Sequence, residues 1–163
     1  YEMLRSLVGS EMCIRDRHRA SVAKVMSPAD FWRDQKINEV SQGRAAEHYV
    51  AYVLTGNGLS TSFALQSGYD LIVTKDDQVF KVQVKSTKAP QTDRPNRVAV
   101  KLGKYDYLSD VFAFVYLKRQ TVIFKKTHEI KHLKKWSLPC DFFTEENMMA
   151  TLTECFHAEH NFR

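Results

Sequence analysis

The stretch YDLIVTKDDQVFKVQVKS, Tyr69 to Ser86, restricts this chain more than any other segment. Val, Ile and Phe dominate two arms that flank the polar cluster KDDQ, which predicts a β-hairpin. With Lys75 to Gln78 as the loop, Thr74 opposes Val79, Ile72 opposes Lys81 and Asp70 opposes Gln83. Directly opposed residues share a face, and side chains alternate along each strand. Tyr69, Leu71, Val73, Phe80, Val82 and Val84 then form one continuous apolar face. Asp70, Gln83 and Lys85 gather at one end of the other face. A slip of one residue would exchange the two faces, so this register is one the burial of a core must enforce. Such a hairpin requires a covering layer on its apolar side.

The flanking pattern supplies that layer. In SQGRAAEHYVAYVLTGNG, Ala46, Tyr49, Val50, Val53 and Leu54 recur at helical spacing, and Gly56, Asn57 and Gly58 supply a stop. Glu47 projects toward this apolar stripe. Val50, Ala51 and Leu54 follow it by three, four and seven residues, so the acid must be paired, ligate a metal or sit at the stripe's edge. Upstream, SPADFWRDQKINEV carries Ser27 as an N-cap and Pro28 at the first helical position. Downstream, APQTDRPNR reads as a loop and VAVKL as a short strand. DVFAFVYLKRQTVIFKK reads as a second hairpin, with Val111 to Leu117, a turn at Lys118 to Gln120, and Thr121 to Phe124. KTHEIKHLKKW reads as a short helix or irregular basic segment. The closing helix starts after Thr144 and shows Met148, Met149, Leu152 and Phe156 on one face. This order predicts an α/β (α+β) domain with one mixed central β-sheet flanked by helices.

The N-terminus fits none of this. Leu7 to Arg17 back-translate to the end of a transposase-type short-read sequencing adapter, and Tyr1 to Met3 match the adjoining flow-cell primer. Residues 1–17 are therefore expected to be an adapter-derived artefact outside the fold, 18–26 a disordered tail, and 27–163 a single domain. Cys140 and Cys155 lack CxxC spacing, which argues against a disulfide scaffold or a zinc site and for a reducing, cytoplasmic setting. Cys155, His157 and His160 are expected on a solvated helix surface. No apolar run approaches the roughly 18 residues of a membrane helix. From Lys88 to Lys135 there are twelve Lys or Arg against four acids, a surplus that points to a polyanionic partner, most often nucleic acid.

Glu47, Asp70 and the QVK of Gln83 to Lys85 occur in an order that resembles the PD-(D/E)xK nuclease superfamily. The likeness is greatest to its small intron-associated, homing-type members that write the last motif as QxK. The motifs cover Ser41 to Ser86, and Asp110 to Phe124 match in general pattern. The resemblance implies a restriction-endonuclease-like core and a metal-dependent DNA endonuclease. Its catalytic residues would be Glu47, Asp70, Gln83 and Lys85. Asp70, Glu47 and Gln83 would hold Mg²⁺ or Mn²⁺, and Lys85 would act on the attacking water or the charged phosphorane. The chemistry agrees, because phosphodiester hydrolysis needs an activated water and neutralised phosphate charge, and Mg²⁺ takes one or two carboxylates while keeping several waters. Two features depart from the commoner motif. Gln83 replaces an acid and so adds no negative charge, and Tyr69 stands where the family has proline.

The implied partner is nucleic acid, in the first instance double-stranded DNA. Lys88, Arg97, Lys101, Lys104, Lys118 and Arg119 are its expected phosphate contacts. Assembly as a homo-oligomer is left open. Two alternatives stand beside this reading: a catalytically weakened nuclease-fold DNA-binding protein, and a non-catalytic basic interaction domain that contacts an acidic protein.

Overall fold

The structure, a computed structural model, describes residues 39–65, 68–103 and 108–156. The adapter-like segment, the expected tail, residues 27–38 of the helix expected from Ser27, and Lys104, His157 and His160 lie outside the described residues.

Helix α1 spans Glu39–Gly56 and buries Ala46, Val50, Ala51, Val53 and Leu54, the stripe its 3.6-residue period predicts. It ends where the sequence punctuates it. The Asn57 side chain donates to the Val53 carbonyl at 2.8 Å. The Leu59 backbone N–H reaches back to Leu54 at 3.1 Å, and Gly58 takes the positive φ of 81° that such a stop requires.

The chain then forms β1 (Ser60–Phe63), β2 (Leu71–Lys75), β3 (Gln78–Thr87), β4 (Arg97–Lys101), β5 (Val111–Tyr116), β6 (Thr121–Lys126), the single turn α2 (Thr127–Ile130), β7 (Lys135–Pro139) and α3 (Glu145–Phe156). Five strands make the main sheet, in the order β1-β2-β3-β5-β6. It is mixed, since β3 and β5 run parallel and the other neighbours antiparallel. The fold is thus α+β, with a central mixed sheet flanked by helices.

The first hairpin keeps the expected register, with Thr74 opposite Val79 and Ile72 opposite Lys81. Its turn is tighter than KDDQ suggests. Lys75 and Gln78 already pair, leaving Asp76 and Asp77 as the two-residue loop. Asp76 adopts φ 51°, a left-handed conformation that Asp tolerates better than most residues. The second hairpin also matches, with Gln120 closing its turn at φ 49°.

Two cores lie on the two sides of the main sheet. On one, Leu71, Val73, Val82, Val84, Val111, Ala113 and Val115 pack beneath α1 and α3. On the other, Phe112, Phe114, Tyr116 and Ile123 pack beneath β4, β7 and Phe143. Covered on both sides, β5 is buried along its whole length. This explains why VFAFVY reads as a continuous apolar run and not an alternation.

Five expectations need correction. VAVKL does form a strand, but β4 leaves the main sheet and pairs with β7 in a separate two-stranded sheet. The basic segment expected to be helical or irregular throughout thus ends in a strand. Tyr69 belongs to neither core. It precedes β2, so strand alternation does not govern it, and its ring lies under the Lys81 ammonium at 5.5 Å. Cys155 is not on a solvated surface: three residues after Leu152, it turns into the core, where burial pushes its thiol up to about 12. Met149 faces solvent, while Met148 packs on the core. The Thr144 cap holds, its Oγ1 accepting from the Asn147 N–H at 3.2 Å.

Candidate functional site

Asp70 sits one residue before β2 and is fixed through its main chain on both sides. Its N–H donates to the Val82 carbonyl and its own carbonyl accepts from Ala64 N–H, each at 2.9 Å. The side chain is equally constrained. Asp70 Oδ2 accepts from the Val84 N–H at 2.7 Å and from Gln83 Nε2. The carboxylate therefore lies against β3 beside the amide that the hairpin register placed opposite it.

Gln83 is buried, 7% exposed, and its Nε2 also approaches the Val84 carbonyl at 3.4 Å. Its donor end faces Asp70, so the pair is held by N–H to carboxylate, and Gln83 does not turn its oxygen toward Asp70 Oδ2. Lys85 follows two residues later on the same side of β3 and is half-buried, in register with Phe114 of β5.

Glu47 arrives from α1. Its side chain is 16% exposed, and Arg44 one turn earlier donates to Glu47 Oε2 at 3.3 Å. Glu47 and Asp70 line one open cleft of about 470 Å³, together with Glu39, Arg44, Ala64 and Leu65. Burial raises the Glu47 pKa above 4.5, and repulsion from Asp70 raises it further, against the opposing pull of Arg44. Two carboxylates that repel across a cleft form a site suited to a cation.

Among the described residues, no three of His, Cys, Asp and Glu gather closely enough to hold a metal by themselves. The donor set fits Mg²⁺ or Mn²⁺ nonetheless, because Mg²⁺ binds through one or two carboxylates and keeps much of its water. It suits zinc poorly, since zinc sites are built around Cys and His ligands and this cleft offers carboxylates alone.

A second cleft of about 460 Å³ shares Glu39 with the first and is lined by Gln42, Ser86, Thr87 and Lys88. Gln42 Nε2 donates to Ser86 Oγ at 3.3 Å, tying the first turn of α1 to the end of β3. Neither Gln42 nor Arg44 stood out in the sequence. Arg44 could have been found as a cation three residues before the one acid in the apolar stripe. Gln42 carried no comparable signal.

The expected phosphate contacts scatter. Lys88 lines the second cleft. Lys118 and Arg119 lie on the β5–β6 turn, where β3 and β5, being parallel, bring them to the same end of the sheet as Thr87. Arg97 is bound to Ser137, and Lys101 pairs across from Lys135 on the small sheet.

No family model matches the chain, and no curated protein matches it. Among solved structures it is similar to a bacterial homing endonuclease, I-Ssp6803I, with a TM-score of 0.51 at 16% identity over 63% of this chain and 78% of that one. At that identity the likeness establishes the fold: the mixed sheet and flanking helices are arranged as in that nuclease.

Proposed function

We propose that the protein is a metal-dependent DNA endonuclease of the PD-(D/E)xK type in its QxK form. One observation carries the reading: Asp70, fixed by Val84 and Gln83, faces Glu47 across a single cleft, with Lys85 on the same side of β3 as Gln83. The fold shared with a homing endonuclease supports it.

Asp70 and Glu47 would hold the cation. When bound, a divalent cation supplies charge neutralisation at the phosphate and makes water acidic near neutral pH. The other roles belong to this chain. Gln83 fixes the Asp70 carboxylate through its N–H. Lys85 brings a cation to the phosphoryl oxygen on which negative charge develops, and it can hold the attacking water by hydrogen bond. Arg44 keeps Glu47 oriented and favours its ionised form. Lys88 lies close by for a neighbouring phosphate.

A second reading, a nuclease fold with weakened catalysis, draws on a specific feature. Gln83 points its N–H toward Asp70, so it offers less oxygen to a cation there than the acid of the commoner motif. One assay separates the two. Supercoiled plasmid incubated with the protein should be nicked with Mg²⁺ or Mn²⁺ and left intact with EDTA. Binding without any metal-dependent nicking would favour the second reading.

A further inference from the structure

The small sheet has an organised outer face that the cleavage site does not use. On β4 and β7, Val98, Val100 and Trp136 turn inward onto the aromatic core. Alternation sends Arg97, Ala99 and Lys101 outward on β4, and Lys135, Ser137 and Pro139 outward on β7. This outward set carries three cations and no acid.

Its polar groups form a network. Lys135 Nζ donates to Gln91 Oε1. Gln91 Nε2 donates to Ser137 Oγ at 2.9 Å. Arg97 Nε donates to the same Ser137 oxygen at 3.1 Å, and Arg97 Nη2 to the Ser137 carbonyl at 2.9 Å. A hydroxyl that accepts twice still has its own proton to give. An amide and a guanidinium each carry more donors than this network uses.

We infer that the β4–β7 ribbon is a sequence-reading element that enters the major groove of duplex DNA, with Gln91, Arg97 and Lys135 contacting base edges. The inference rests on the nuclease reading above and goes beyond it, since the sequence pattern assigns Arg97 and Lys101 to phosphates only. The major groove admits a two-stranded β-ribbon, and Arg, Lys and Gln are the side chains whose donors match guanine and adenine edges there. Ala99 between them suits contact with a thymine methyl. Five paired residues span roughly 14 Å, about four base-pair steps.

Placement favours the same occupant. Trp136 of β7 packs on Phe114 at 5.3 Å, and Phe114 is in register with Lys85. The ribbon is therefore one strand away from Lys85, on the side of the main sheet where Gln83 and Lys85 project. A network that fixes its own side chains also lowers the ordering cost of readout.

The test selects binding sites from a randomised duplex pool in Ca²⁺, without cleavage as a readout. It uses the full chain, Gln91→Ala and Lys135→Met, with melting temperature as the folding control. The full chain should yield a defined motif. Each variant should lose about tenfold selectivity at one or two adjacent positions of that motif. Gln91→Ala should do so with its salt slope unchanged, because it removes no charge. Recovery of the same motif by both variants, or a full chain that binds without any motif, would overturn the inference. Plasmid nicking stands apart: cleavage with an unaltered motif in the variants sinks the ribbon alone, and a ribbon-dependent motif without cleavage sinks the nuclease alone.

Discussion

One side of the main sheet holds two contrasting halves. Over β5 and β6, Phe112 and Phe114 are sealed beneath β4, β7 and Phe143, with an edge-on ring contact of 5.2 Å between Phe114 and Phe143. Over β2 and β3, the same side carries Asp70, Gln83 and Lys85, outside the aromatic core that the small sheet covers. The residues are neighbours in register, Gln83 beside Phe112 and Lys85 beside Phe114. The small sheet thus decides which part of this side is buried and which is left for the proposed site. A buried amide and a lysine beside a packed aromatic wall have few conformations available, and that restriction is what a positioned catalytic group needs.

The largest effect should come from the sealed half. Phe114→Ala removes a fully buried ring that touches both Trp136 and Phe143. It should cost about 3–5 kcal/mol in chemical denaturation. A loss under about 1 kcal/mol would mean the ribbon is not fastened through this ring.

Asp70→Asn addresses the open half. Cleavage should fall by at least about 10²-fold, with metal affinity falling alongside it, because the substitution removes the charge proposed to hold the cation. Stability should change little, since an amide oxygen still accepts from Val84. Calorimetric titration with Mn²⁺ that gave equal affinity for both proteins would remove Asp70 from the metal site.

Glu47→Gln sharpens the contrast through pH. The Glu47 pKa is raised, by burial first and by Asp70 second. Its ionised form is disfavoured in the folded state, so this group's contribution to stability is greatest below its ordinary pKa of 4.5 and is lost as pH rises through the raised value. In metal-free buffer the variant should melt a few degrees higher than the parent at neutral pH, and the gap should close near about pH 4. Added Mg²⁺ should stabilise the parent more than the variant. A neutral-pH melting temperature unchanged or lowered by the substitution would show that Arg44 outweighs both raising effects.

The smallest effect concerns general DNA affinity. Lys88→Ala, or Lys118→Ala with Arg119→Ala, should weaken binding to all sequences alike and lower the salt slope by about one for each phosphate left without its cation. Unchanged slopes would show that this end of the sheet does not meet the backbone.

How much of this was legible in the sequence follows from how local each signal is. The Asp70–Gln83 pairing was readable because a short turn fixes the register of a hairpin. The α1 stripe was readable from its period. Strand β1 was not, since STSF has no apolar alternation and joins the sheet through main-chain pairing to β2 alone. Strand β7 was hidden because KWSLP is short and basic at its start, and its partner β4 lies more than thirty residues away. The histidine neighbours of Cys155 point to a solvated surface, although its spacing from Leu152 points inward. The meeting of Glu47 with Asp70 depends on how α1 lies across the sheet, which no periodicity encodes.

The most direct measurement of the central claim follows Lys85→Ala in two assays on one preparation: Mg²⁺-dependent nicking of supercoiled plasmid, and Mn²⁺ binding by calorimetry. On the proposed reading, Lys85 would act on phosphate and water, and the carboxylates would hold the cation. Nicking should therefore fall by about 10²-fold or more while Mn²⁺ affinity and melting temperature stay at the values of the parent protein. Nicking at the parent rate by Lys85→Ala would contradict the account.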